Sequence, residues 1–456
     1  MLFNSYPFLL VFLPVALAAH WLSAHHAPRL RLPVLAVLSL AFYSFWNWKH
    51  AALLVGSIAF NFAAARLFLA TRDKGVAIAA IAANLALLAF YKYLGLALDT
   101  ANGLFGSSLL KPENVLPLGI SFFTFHHVMY LVDLAKGVAP RIDAVRYALY
   151  IGFFPQVLAG PLVRWSEILA QFDADPFADG YLDRIARGAV LLVLGLGKKV
   201  LLGDPLSEFA NPVFAEAAAG HAVTLVQAWQ GVLAFTFQIY FDFSGYTDMA
   251  IGIALMLGFV LPQNFHVPYR AANLQDFWRR WHATLSRFLR DYLYVPLGGN
   301  RSGPAVQACA LVATMALGGL WHGAAWTFVA WGLVHGLGLA ACALWRKAAL
   351  PMPAPVGWLL TFAFVTLAWV LFRVADFGAA TRVFSGLAGL DGLGSGLNLR
   401  LVSVAALVAM VGPTTFDVSQ SLRLTSPLAL GLALLFMAAL LTIGDDANYE
   451  FIYFRF

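Results

Sequence analysis

Apolar stretches at or near bilayer length recur along the whole of this chain, at 7–24, 33–47, 51–70, 76–98, 115–135, 144–159, 186–203, 223–241, 245–261, 305–320, 324–345, 356–374, 400–412 and 427–443. In hydrocarbon there is no water to satisfy the backbone, so each crossing has to satisfy its own hydrogen bonds as a helix. Hydrophobic residues make up 61% of the chain and charged ones only 11%, far from the balance of a soluble domain. The fold class is therefore an all-α polytopic membrane protein. Several stretches fall short of the roughly 20 residues needed to cross the hydrocarbon core, which predicts tilted, oblique or re-entrant helices and about eleven to thirteen spans.

The polar stretches, at 171–185, 262–304 and 386–399, are too short for a soluble domain, so residues 1–456 read as one integrated membrane domain. The glycine-rich 386–399 reads as a connecting loop. Met1 to His20 has no basic leader and further spans follow, which predicts a retained first helix. Arg29 and Arg31 follow the first span, and Arg72 and Lys74 the third, whereas Lys49 and Lys111 stand alone. This bias places the amino terminus on the outer side. Lys198 and Lys199 are expected to mark a cytoplasmic span end. The net charge of +6 fits basic cytoplasmic loops and would also gather an anionic substrate. Nucleic acid is not an expected partner; membrane lipid is. Cys309 and Cys342 lie in apolar segments and are expected to pack in the core.

His322 is the best pointer to chemistry. It sits in Met315-Ala316-Leu317-Gly318-Gly319-Leu320-Trp321-His322-Gly323-Ala324-Ala325-Trp326, at membrane depth, where a titratable ring is unfavourable unless it faces a cavity or a partner. The bland reading is an imidazole bridging two helices. Gly318, Gly319 and Gly323, however, leave room for a substrate or a second backbone. A neutral imidazole there could take a proton from a hydroxyl and return it to a leaving thiolate.

From Asn264 to Arg301 the chain reads NFHVPYRAANLQDFWRRWHATLSRFLRDYLYVPLGGNR. Asn273 and Asp276 suit a helix start, the pairs Asp276–Arg280 and Arg287–Asp291 support a helix, and Pro296 ends it near Tyr294-Val295. Such a helix is too polar for lipid and suits an oblique position at a cavity mouth, with His282 on its surface as a second polar group for the His322 cavity. Arg279, Arg280, Arg287 and Arg290 could receive the phosphates of a coenzyme, with Trp278 and Trp281 stacking on its base or lining the passage. The same basic face could instead hold lipid head groups.

Asp242 and Asp248, in Phe237-Gln238-Ile239-Tyr240-Phe241-Asp242-Phe243-Ser244-Gly245-Tyr246-Thr247-Asp248, are expected to pair with an arginine or cap a helix broken at Ser244-Gly245; the rival role is orienting a catalytic histidine. His126, His127, His266 and His335 are further histidines at or near membrane depth, and none has the spacing of a zinc motif, so no metal is expected.

Together with PLGISFFTFHHVMYLVD (117–133), GFFPQVLAGPLVRW (152–165), GLGKKVLLGD (195–204), FQIYFDFSGYTDMAIGIALMLGF (237–259), GGLWHGAAWTFVAWGLVHG (318–336), LAWVLFR (367–373) and the closing FIYFRF (451–456), these segments make the chain resemble the membrane-bound O-acyltransferases over nearly its whole length. Within that family it is similar to the bacterial branch that O-acetylates exported polysaccharides such as alginate. The resemblance implies a ring of tilted helices around a through-membrane cavity in a bacterial inner membrane. It implies His322 of the WHG motif as the catalytic residue, His282 as the second polar position, and acetyl-CoA as donor substrate with no permanently bound cofactor. The implied partners are an exported polysaccharide and a periplasmic acceptor or transferase protein. His126-His127 departs from the family pattern. Two rivals remain: acyl transfer from a carrier protein to a cell-envelope polymer, and a transporter without covalent chemistry.

Overall fold

A computed structural model describes residues 1–45, 47–112, 115–421, 425–443 and 452. Of the closing 451–456 match only Ile452 falls among them. The described residues are helical with irregular connections and no strand. Among the described residues seven helices are long and apolar enough to cross a bilayer, or eight if the bent pair Arg400–Met410 and Thr415–Ser421 forms one span. The remaining apolar stretches form helices that fail this test, such as Ile120–Ala135, so the expected eleven to thirteen spans is reached only by including short helices.

The chain divides into two compact units, one built mainly from Met1–Leu196 with Tyr246–Pro262, the other mainly from Gly197–Gly245 and Gln263–Val418. In the first, buried polar side chains join helices that would otherwise have only apolar surface to recognise one another. Asn61 of the Trp48–Thr71 helix exchanges amide hydrogen bonds with Asn84 of Lys74–Lys92, at 3.0 and 2.6 Å. His127 bridges Ser57 Oγ at 3.0 Å and Tyr147 Oη at 2.7 Å, and His126 Nδ1 lies 2.9 Å from the Phe122 carbonyl. This pair of histidines thus ties the Ile120–Ala135 helix to its neighbours and to itself.

The second unit centres on the helical hairpin Pro304–His322 and Trp326–Lys347. Its two backbones meet through glycines. A Cβ on Gly319 would lie 2.1 Å from the Phe328 carbonyl oxygen, and one on Gly332 2.2 Å from that of Met315. Only hydrogen fits at either place, and this close approach fixes where His322, the last residue of its helix, projects. Cys309 on this hairpin is exposed and Cys342 half-buried. The expected core role fails for Cys309, because its side of the helix faces outward from the fold.

Candidate active site

The arginine-rich segment is not one helix. Asn273 caps Leu274–Arg280 by accepting the Asp276 N–H at 2.8 Å, and Arg280 pairs with Asp276 at 2.9 Å, as the pattern suggested. The chain then breaks at His282, whose φ of +45° and ψ of +50° lie in the left-handed region, and resumes as Ala283–Leu289 and a wider turn over Arg290–Tyr294. A non-glycine residue in that region is strained and persists only where the surroundings over-determine it. The break takes His282 off the stripe shared with Ser286 and Leu289 that a continuous helix would impose. Asp291 accepts from Arg290, at 2.7 Å.

Residues 264–266 hold the break from outside. His266 N–H donates to the Arg280 carbonyl and Ala283 N–H to the Asn264 carbonyl, both at 2.9 Å. Asn264 Oδ1 then accepts Thr284 N–H at 3.3 Å and Thr284 Oγ at 2.9 Å, and lies 3.0 Å from His282 Nδ1. Asn264 therefore caps the Ala283–Leu289 helix in place of His282, whose own side chain makes no capping bond. Sequence reasoning missed Asn264, because its only signal is to open the NFHVPY stretch.

His282 is fully buried, and desolvation lowers its pKa to about 3. The imidazole is neutral throughout the physiological range. Its ring packs edge-on to Phe243 at 4.8 Å and lies 6.4 Å from the ring of His322. His322 is itself buried among Trp321 at 4.9 Å, Phe372 at 5.2 Å and Trp331 at 5.3 Å. The structure thus brings together the two histidines singled out in the sequence.

The coenzyme candidates divide. Trp278 and Trp281 are both buried. Trp278 donates to His335 Nδ1 at 3.2 Å, and Trp281 stacks on Phe277 at 5.6 Å and packs against Trp369 at 4.9 Å. They shape the wall behind the histidines, where an adenine stacking on them would have to displace other aromatic rings. Trp278 thus occupies Nδ1 of His335. Arg280 and Arg290 are held by aspartates, Arg287 is half-buried, and Arg279 is exposed and makes no ion pair among the described residues.

Beyond His322 a cavity of about 840 Å³ opens, lined by Gly323, Ala325, Phe328, Gln238, Ser207 and Arg373 among others. Arg373 donates to Asn211 Oδ1 at 3.0 Å and lies over the rings of Phe214 and Phe235. At one wall the buried Lys199 pairs with both Asp204 and Asp242, and Asp242 also accepts the Ile452 N–H at 2.8 Å. Three expectations are corrected here. Lys199 is not a solvent-facing span marker, Asp242 pairs with a lysine instead of an arginine, and Leu225–Met256 is helical straight through Ser244-Gly245. The ammonium can be buried only because two carboxylates surround it. Both carboxylates are taken by Lys199, and Asn264 fills the orienting place on His282. Among the described residues no three His, Cys, Asp or Glu side chains are placed to hold a metal ion.

Residues 83–380 match the model of MBOAT, the membrane-bound O-acyltransferase family. The chain is 40% identical over 430 residues to a peptidoglycan O-acetyltransferase of Helicobacter pylori, covering 86% of this chain and 81% of that protein. It is 37% identical over 399 residues to a probable alginate O-acetylase, AlgI, of Pseudomonas aeruginosa, covering 85% and 75%. A teichoic acid D-alanyltransferase of Streptococcus thermophilus is 26% identical over 282 residues, covering 56% and 68%.

Proposed function

The chain belongs to the membrane-bound O-acyltransferase family, and we propose that it moves an acetyl group from cytoplasmic acetyl-CoA to an exported polysaccharide, through a periplasmic acceptor or transferase protein, with His322 as general base. One observation carries this reading: His322 neighbours His282, at the break in the arginine-bearing segment, and is followed directly by Gly323, which lines the cavity. Basic residues supply the direction. Arg301 precedes the Pro304 end of the hairpin and Arg346 and Lys347 close its other end, so these ends face the cytoplasm of the inner membrane. The His322 turn and the cavity then lie toward the outer side; separately, the basic loops at Arg29, Arg31, Arg72 and Lys74 favour a periplasmic amino terminus.

In the reaction the acceptor O–H gives its proton to His322, the oxygen attacks the thioester carbonyl, and the thiolate leaves on taking a proton back from the imidazolium. Gly323 keeps the approach open, and the buried aromatic wall excludes water that would hydrolyse the thioester. Arg279, exposed and without an ion pair among the described residues, would meet the coenzyme phosphates first, with Arg280, Arg287 and Arg290 adding positive potential.

A relative named for peptidoglycan stands at 40% identity and one named for alginate at 37%, so peptidoglycan is a candidate beside an alginate-like polymer. Carrier-dependent transfer is the second reading, supported only by relatives at 26% identity. The test is turnover of acetyl-CoA by the purified protein in lipid nanodiscs. The His322→Ala variant, folded and inserted, should lose about 100- to 10,000-fold of the rate. Undiminished turnover in that variant defeats the proposal, and a requirement for an acylated carrier protein selects the second reading.

A further inference from the structure

The break at His282 contains more hydrogen bonding than a helix cap requires. Three groups converge on Asn264 Oδ1, and one, the Thr284 backbone N–H, can only donate. That identifies the atom as the carbonyl oxygen of the amide and not its nitrogen. An amide oxygen can meet a ring nitrogen in a hydrogen bond only as acceptor, so His282 carries its proton on Nδ1. In a neutral imidazole the other nitrogen is then bare. That nitrogen, Nε2, is buried and has no hydrogen-bond partner among the described residues.

The partners of His282 are Asn264, the aromatic rings of Phe243, Phe265 and Trp321, and His322, which is the titratable one among these described contacts. A base with its lone pair held on one nitrogen, in a ring 6.4 Å from that of His322, is a device for accepting a hydrogen bond or a proton at the reacting centre. The left-handed backbone turns the ring there, and the bond to Asn264 stops it from flipping.

We infer that Asn264 is a positioning residue of the acyl-transfer site, selecting the Nδ1–H tautomer of His282 and so leaving Nε2 as the lone-pair nitrogen of a ring that neighbours His322. The role of that lone pair in turnover rests on the acyl-transfer reading; the tautomer itself does not. The two can therefore fail separately.

The full-length protein in lipid bilayers, labelled with ¹⁵N-histidine, gives the direct test by solid-state NMR, the His282 signals being those lost in His282→Gln. The expected spectrum has a protonated Nδ1 and an unprotonated Nε2; a protonated Nε2 overturns the inference. Turnover of acetyl-CoA supplies the second test. Asn264→Leu removes the acceptor, and kcat should fall about 10- to 100-fold, the range seen when the outer partner of a metal-bound histidine is removed, with KM for acetyl-CoA unchanged. Asn264→Asp keeps every acceptor bond and adds a charge that favours imidazolium. It should restore activity at alkaline pH while moving the acidic limb of the kcat profile up by about one pH unit or more. Should Asn264→Asp instead follow the wild-type profile at every pH, Asn264 is a helix cap and nothing more. If the NMR result holds while His322→Ala keeps full activity, the acyl-transfer reading alone has failed.

Discussion

The ring of His282 lies 6.4 Å from that of His322, with the planes inclined at 57°, although forty residues of sequence and two separate helices divide them. At that spacing one acceptor hydroxyl or one thioester can meet both rings, so the two should act as a unit. His282→Ala and His322→Ala should each lower acetyl-CoA turnover, and the double variant should lose little more than the worse single one. Losses that multiply would mean that the rings serve separate steps.

Burial of the His282 imidazole has a signature in stability. Its pKa is about 3 in the folded protein against about 6.5 when solvated, so below pH 6.5 the unfolded chain binds a proton that the folded one refuses. Stability from this group is complete above pH 6.5 and declines as the pH falls toward 3, by about 2 kcal/mol at pH 5. His282→Gln should therefore show a smaller drop in thermal midpoint between pH 7.5 and pH 5 than the wild type, measured in the same detergent.

The hairpin bearing His322 depends on backbone contact at Gly319 and Gly332, where an added methyl would sit 2.1 and 2.2 Å from carbonyl oxygens. Gly332→Ala should destabilise the protein by about 1–3 kcal/mol and lower turnover in step, because prising the helices apart moves His322. Gly431→Ala, where nothing lies within 4 Å, is the control and should behave as wild type.

Lys199 pairs with both Asp204 and Asp242 in the wall of the cavity. Lys199→Met should destabilise by about 3–5 kcal/mol, since it strands two carboxylates away from water. Adding Asp204→Asn and Asp242→Asn should recover most of that loss. A recovered melting temperature without recovered turnover would assign the triad a part in the chemistry as well as in the fold.

The four arginines of the broken segment should not be equivalent. Arg280 and Arg290 are each committed to an aspartate, while Arg279 makes no ion pair among the described residues. Arg279→Gln should raise the KM for acetyl-CoA by about tenfold with little change in kcat, as expected for loss of a charged hydrogen bond to phosphate. Arg290→Gln should change it less.

Much of this was legible in the linear chain because it depends on local composition. Apolar runs read as membrane helices, Asn273 as a cap and Asp276–Arg280 as a pair one turn apart. His322 stood out because a titratable ring among glycines at membrane depth needs a reason. Where partners are distant in sequence, the signal vanished. Asn264 looks like any loop asparagine until the chain folds it against His282. Lys199 looks like a span marker until Asp204 and Asp242 close on it. Trp278 and Trp281 look available to a ligand until Phe277, Trp369 and His335 bury them.

The sequence by itself determined that the chain is an all-helical membrane acyltransferase and singled out His322 and His282 as its candidate site, because hydropathy and short motifs are properties of neighbouring residues. Only the tertiary structure decided that the arginine segment breaks at His282, that Asn264 governs its tautomer and that a cavity opens beyond Gly323. Those features come from long-range packing. A left-handed backbone and a bare ring nitrogen persist only where segments far apart in the chain hold them in place.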